Sequence, residues 1–134
     1  MSWRDTPVNI PGVSFADYET EEAFQIYCAD WLRKEGERTG EEHWRYWHHS
    51  ANEREGASEG FKAKMKGQSK GYPDFVQHGL KLAIELKVLG RVETTEQRDW
   101  LDYFSRIGYH SEVIRSFERF REVVNGAILG NRAG

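Results

Sequence analysis

The sequence predicts a mixed α/β fold in the order αβββαβα, a central sheet flanked by helices. Three observations carry this. Residues 20–35 and 94–107 each space apolar side chains as a helix does. "DFVQ" and "LKLAIELKV" flank a glycine as the arms of a hairpin do. "YHSEVIRS" follows the second helix, and a helical crossover allows such a strand to run parallel to its predecessor in the sheet.

Taken in order, Phe24, Tyr27, Cys28, Trp31 and Leu32 fit an amphipathic helix over 20–35, with Thr20 as N-cap and Gly36 as stop. "HWRYWHHS" is aromatic and β-prone and is expected to be the first strand. The polar stretch from Asn52 to Gly71 reads as a long loop with a helical turn in "GFKAKMKG"; loops of that length are commonly functional or disordered. The hairpin follows, turning near His78-Gly79. Thr94 then opens a helix whose stripe is Trp100, Leu101, Phe104 and Ile107, ending at Gly108. A last strand leads to a helix from Phe117 to about Val124, with "NRAG" expected to fray. The whole is expected to be a single domain, 1–134, with its core over about 20–124 and peripheral segments at 1–16 and 125–134.

Composition narrows the class. Of the 134 residues 31% are charged and 38% apolar, and the apolar runs fall well short of the roughly 20 residues a membrane span needs. The N-terminus "MSWRDTPVNIPG" lacks the basic-then-apolar pattern of a secretory signal, and a single cysteine, Cys28, suits a reducing compartment as a small buried hydrophobe. An intracellular protein without a membrane partner is therefore expected. The net charge of −3 argues against nucleic acid until its distribution is considered. Lys62, Lys64, Lys66 and Lys70 fall in an acid-free stretch, whereas 16–22 holds four acids and no base. A site binding both a cation and a polyanion would segregate charge in this way, as would ordinary solvated faces.

The chemistry concentrates in "GYPDFVQHGLKLAIELKVLG". Asp74 heads one apolar run and Glu85 lies within another, where an uncompensated charge costs several kcal/mol. Side chains alternate along a strand, so Glu85 and Lys87 share a face. With a turn at His78-Gly79, Asp74 lies opposite Ala83 and diagonal to Glu85. One pairing step further it lies opposite Glu85, and either way their Cβ atoms fall about 4.5 to 8 Å apart. Carboxylates that close call for a proton or a cation between them, and Mg²⁺ takes such oxygens. A lysine beside them suits phosphodiester hydrolysis; a surface acid–base ladder is the alternative. Glu21, with Gln25 one turn on, leads into the apolar stripe of the first helix, and Gln97 does so in the second. Glu21 equally suits the helix dipole, and Gln97 a capping box with Thr94. His48 and His49 face opposite ways on a strand and so do not share an ion.

"GYPDF", "IELK", "GRVETTEQRDWL" and "GYHSEVIRS" resemble the virus-type replication-repair nuclease (VRR-NUC) family of the PD-(D/E)XK nuclease superfamily, over about Glu21 to Val124. That resemblance implies a restriction-endonuclease-like αβββαβ core and a Mg²⁺- or Mn²⁺-dependent DNA nuclease. By position, Asp74 and Glu85 would be metal ligands with the Leu86 carbonyl, and Lys87 the catalytic lysine. Glu21 would be a further acid, preferred over Glu22 because Gln25 lies four residues after it, and Gln97 the motif glutamine. "ANEREGASEG" resembles the family's "NEG-R" stretch imperfectly; a surface loop is the alternative for Asn52, Glu53 and Arg54. Arg54, Lys62, Lys64, Lys66 and Lys70 would contact DNA phosphates. Small standalone members resemble resolvases of four-way (Holliday) junctions, implying branched DNA, a homodimer, a role in DNA repair, and the cytoplasm of a bacterial or phage-infected cell. The alternatives are a flap or single-strand-end nuclease with the same site, and a non-catalytic DNA-binding module.

Overall fold

The computed structural model describes residues 20–50 and 70–133. The expected 52–71 loop therefore lies almost wholly outside the described residues, as do Arg54, Lys62, Lys64 and Lys66; only its last two positions fall within them.

Helix α1, Glu21–Thr39, starts where its cap predicts: Thr20 Oγ1 accepts from the Ala23 N–H at 3.1 Å. It does not stop at Gly36. That glycine is buried within the helix, where an added Cβ would stand 3.2 Å from Arg45 Cγ and 3.5 Å from Trp44 Cβ. Gly36 is a packing glycine, and Gly40, at φ +72°, is the left-handed cap.

"HWRYWHHS" is mostly not a strand. A 3₁₀ turn occupies Glu42–Trp44, and only His48–His49 forms β1. The local aromatics are diverted into tertiary contacts. Trp44 packs edge-on to Trp31 at 5.2 Å, and the Trp47 indole donates to the His43 carbonyl at 2.9 Å, turning the chain back on itself.

Strands β2 (Phe75–Gln77), β3 (Leu82–Leu86) and β4 (His110–Ile114) complete a four-stranded mixed sheet in the order β1-β2-β3-β4. The first two pairings are antiparallel and β3·β4 is parallel, as the crossover by helix α2, Thr95–Arg106, allows. The hairpin pairs Phe75 with Ile84 and Val76 with Ala83. Its loop is thus the four residues 78–81, closed by the Lys81 N–H to His78 carbonyl bond and by Lys81 at φ 55°, rather than a two-residue turn at His78-Gly79.

Helices cover both faces of the sheet. On one face Phe75, Ile84, Leu86 and Ile114 pack against α1 and helix α3, Phe117–Ala133. On the other, Val76 and Ala83 meet Phe104 of α2, flanked by Tyr72, Trp100 and Tyr109. Covered on both sides, β3 is buried along its whole length. Two expectations change here. Ile107 is exposed because it is the C-cap of α2, past the last turn that faces the sheet. Helix α3 continues beyond Val124 to Ala133, because Ile128 adds a further buried turn and Arg132 pairs with Glu41.

Candidate active site

Asp74 stands immediately before β2, and its own carbonyl accepts from the Ser50 N–H at 2.9 Å. Continuing the Phe75–Ile84 pairing by one residue places Asp74 directly across from Glu85. Of the two registers the sequence allows, this is the one that opposes the carboxylates. The Asp74 side chain is buried, and among the described residues it accepts twice: Oδ1 from the Gln25 amide at 2.6 Å and Oδ2 from the Leu86 N–H at 2.8 Å. One residue thereby ties α1, β2 and β3 together at a single end of the sheet. Hydrogen bonds to an ionised acceptor are the strong kind, which offsets part of the desolvation cost.

Glu85 is 1% exposed and shares a sheet face with Ala83, the α2 side. Lys87 lies just past the end of β3, where its N–H still bonds to the Ile114 carbonyl at 3.0 Å. Its side chain is buried, with Nζ 3.5 Å from Glu21 Oε2. Glu21 is in the first turn of α1, so the amino end of that helix overhangs the carboxyl end of β3. Of the adjacent pair, Glu22 is exposed and Glu21 is the half-buried one beside Lys87. The site thus brings together Glu21, Gln25, Asp74, Glu85 and Lys87.

Gln97 has a different local task. Its side-chain oxygen accepts from the Thr94 N–H at 2.8 Å, while its own N–H bonds Thr94 Oγ1 at 3.1 Å, a complete capping box. Its link to the site runs through the backbone. Gly71, at φ +85°, abuts this turn so closely that an added Cβ would stand 2.7 Å from Glu96 and 2.8 Å from the Gln97 nitrogen. Lys70 is held there too, its carbonyl accepting from the Trp100 indole at 3.2 Å, with its side chain exposed. The loop that delivers Asp74 is therefore moulded onto the start of α2.

Cys28 is fully buried close to this site, and burial, with the Asp74 charge as a lesser cause, holds its thiol well above the usual range. His48 and His49 part company as expected. His49 stacks on Phe75 at 4.3 Å, while His48 meets Tyr72 edge-on and Ser50 Oγ at 3.1 Å. Burial, then the charge of His78, lowers the pKa of His48. A cavity of about 620 Å³ between α1 and β1, lined among others by Trp44, Trp47 and His49, includes none of the five site residues.

Among the described residues, no three or more His, Cys, Asp and Glu side chains gather as a metal-binding group. Among the described residues, the oxygens gathered at this end of the sheet are the carboxylates of Asp74 and Glu85, that of Glu21 beside Lys87, and backbone carbonyls. Gln25 is the member whose role the sequence indicated least. Its place one helical turn after Glu21 was the available signal, and its contact with Asp74, 49 positions away, was not readable from spacing. No helix among the described residues is long and apolar enough to cross a membrane. Comparison of the chain with protein-family models, with curated proteins and with solved structures finds no match.

Proposed function

We propose that this chain is a divalent-metal-dependent DNA endonuclease with a restriction-endonuclease-like core of the PD-(D/E)XK type, acting on branched DNA such as four-way junctions. One observation carries the reading. Two buried carboxylates, Asp74 and Glu85, face each other across adjacent strand ends, with a buried lysine, Lys87, on the face of Glu85. A scaffold that only needed a core would place apolar side chains there.

The donor set suits Mg²⁺ or Mn²⁺, hard ions that keep several waters and need only one or two carboxylates with a neutral oxygen such as the Leu86 carbonyl. When bound, such an ion polarises a phosphoryl oxygen and lowers the pKa of a water. The chain's own residues do the rest. Gln25 and the Leu86 N–H fix the Asp74 carboxylate in one orientation. Glu21 restrains the Lys87 ammonium, which donates to the phosphate as negative charge builds on it. Gln97 is a positioning residue, capping the turn against which the Asp74 loop rests. Arg54, Lys62, Lys64, Lys66 and Lys70 supply phosphate contacts that hold DNA without reading its sequence. Two symmetric cuts in a junction are most simply made by a two-fold homodimer.

The test is cleavage of a labelled four-way junction, a flap and a plain duplex with Mg²⁺, Mn²⁺ or chelator, by the wild type and by Lys87→Met. Metal-dependent cutting that favours the junction is expected, with a loss of about 10² or more in the variant, the usual cost of removing a donor to the developing charge. Faster cutting of the flap would move the substrate to single-strand ends. Binding without cutting in either metal would leave a DNA-binding module. A strict monomer by light scattering at active concentrations would remove the paired-cut version alone.

A further inference from the structure

The segment between β3 and α2 has an exposed apolar tip that the proposed chemistry does not use. Leu89 is 91% exposed and Val92 67% exposed. Isolated surface leucines are ordinary and by themselves mean nothing. Three further features set this one apart.

The tip has a defined shape. The Arg91 N–H bonds the Val88 carbonyl at 3.1 Å and Gly90 has φ +88°, a β-turn that presents Leu89 at its corner. It is also fastened to the body of the protein. Arg115 donates to the Arg91 carbonyl at 2.9 Å, and Glu93 lies 3.7 Å from the Arg98 guanidinium and 3.9 Å from that of Arg115. Finally, it adjoins the site: Leu89 is two residues after Lys87, a backbone reach of about 7 Å. Between the two apolar side chains lies Arg91, an exposed cation with no ion pair among the described residues.

We infer that Leu89, with Val92 behind it, is a wedge that enters an opened base step of branched DNA while Arg91 meets the adjoining phosphate. The inference rests on the nuclease reading and names the substrate feature that site would select. Apolar side chains that enter a base step must displace stacking, which is least costly where stacking is already interrupted, as at a branch point. A turn closed by its own hydrogen bond and tied to Arg115 suits this role because a tip already held in shape loses less entropy on insertion. The occupant is nucleic acid rather than a second apolar surface, because a phosphate-seeking cation sits within the tip itself.

The experiment uses the full chain in chelator, so that nothing is cut, with a four-way junction carrying 2-aminopurine beside the branch. Fluorescence and affinity are read for the wild type, Leu89→Ser, Val92→Ser and Leu89→Met. Wild type is expected to raise the fluorescence on binding. Leu89→Ser should abolish the rise and weaken binding roughly tenfold, the worth of one leucine side chain leaving water. Val92→Ser should do so in part, and Leu89→Met should restore both, with melting temperatures unchanged throughout. An undiminished rise in Leu89→Ser, or no rise with bound wild type, overturns the wedge and leaves the nuclease standing. A Leu89-dependent rise in a chain that never cuts keeps the wedge and overturns the nuclease. If Leu89→Ser instead converts a dimer to a monomer by sedimentation, the tip is an interface between copies and the wedge is overturned.

Discussion

Asp74 is the residue on which the proposed site and the fold depend together, because the carboxylate proposed to hold an ion also accepts from Gln25 and Leu86. The two roles separate in Asp74→Asn. The new amide oxygen keeps the Leu86 N–H, and the Gln25 amide, turned over, presents its oxygen to the new NH₂. The fold is expected to hold, while the charge that attracts a cation is gone. A divalent ion at 100-fold its Kd stabilises the protein that binds it by about 2.7 kcal/mol. Wild type should therefore melt at a higher temperature with Mg²⁺ or Mn²⁺ than with chelator, and Asp74→Asn should show no such difference. An equal rise in both proteins would take Asp74 out of the metal site. At this scale much was legible. Alternation put Glu85 and Lys87 on one face, and the Gln25 spacing favoured Glu21, the acid of the adjacent pair that lies beside Lys87. The bond from Gln25 to Asp74 was not legible, because a hydrogen bond between distant elements leaves no period in the sequence.

Elements were legible where the pattern was periodic and local, and illegible where packing overrode it. Thr20 and Thr94 cap the helices they were expected to cap. Gly36 looks like a stop in sequence because a glycine chosen for close approach to Trp44 and Arg45 is the same residue as one chosen for a left-handed cap. Period-two alternation likewise fits a two-residue and a four-residue loop equally well, so the register of β2 on β3 stayed open although the strands did not. The aromatics of "HWRYWHHS" have high β-propensity, yet Trp44 and Trp47 gain more by folding under α1 and onto His43 than by extending a strand. The element on which the site relies most is the turn carrying Gly71 against the start of α2. Gly71→Ala meets two obstacles: φ +85°, strained for any L side chain, and a Cβ 2.7 Å from the Glu96 backbone, which cannot rotate away. A loss of about 2–3 kcal/mol in denaturant unfolding is expected, the sum of backbone strain and a forced shift. Cleavage by any molecules that remain folded should fall as well, because the displaced segment leads directly to Asp74. A neutral effect on both would show that the loop and helix are not coupled.

For the whole molecule, the polarity of the sheet decides where chemistry can collect. Because β2 and β3 are antiparallel, the start of one and the end of the other meet at the same edge of the core, and the overhang of α1 adds Glu21 there. Helices on both faces bury that end of the sheet, so Asp74, Glu85 and Lys87 interact there more strongly than charges in water would. A net charge of −3 would repel DNA if it were spread evenly, so the proposed binding calls for a local excess such as the sequence places at Lys62, Lys64, Lys66 and Lys70. This has a measurable form. Each phosphate neutralised releases condensed counterions and steepens the dependence of log K on log salt by about 0.9 for duplex DNA. Replacing Lys62, Lys64 and Lys66 by alanine should weaken binding and flatten that slope by up to about 3. Because these residues carry no base readout, the loss should be uniform across DNA sequences of one shape. An unchanged slope with unchanged affinity would place the phosphate contacts elsewhere on the molecule, and the clustering of lysine before "GYPD" would then be a solvated surface and nothing more.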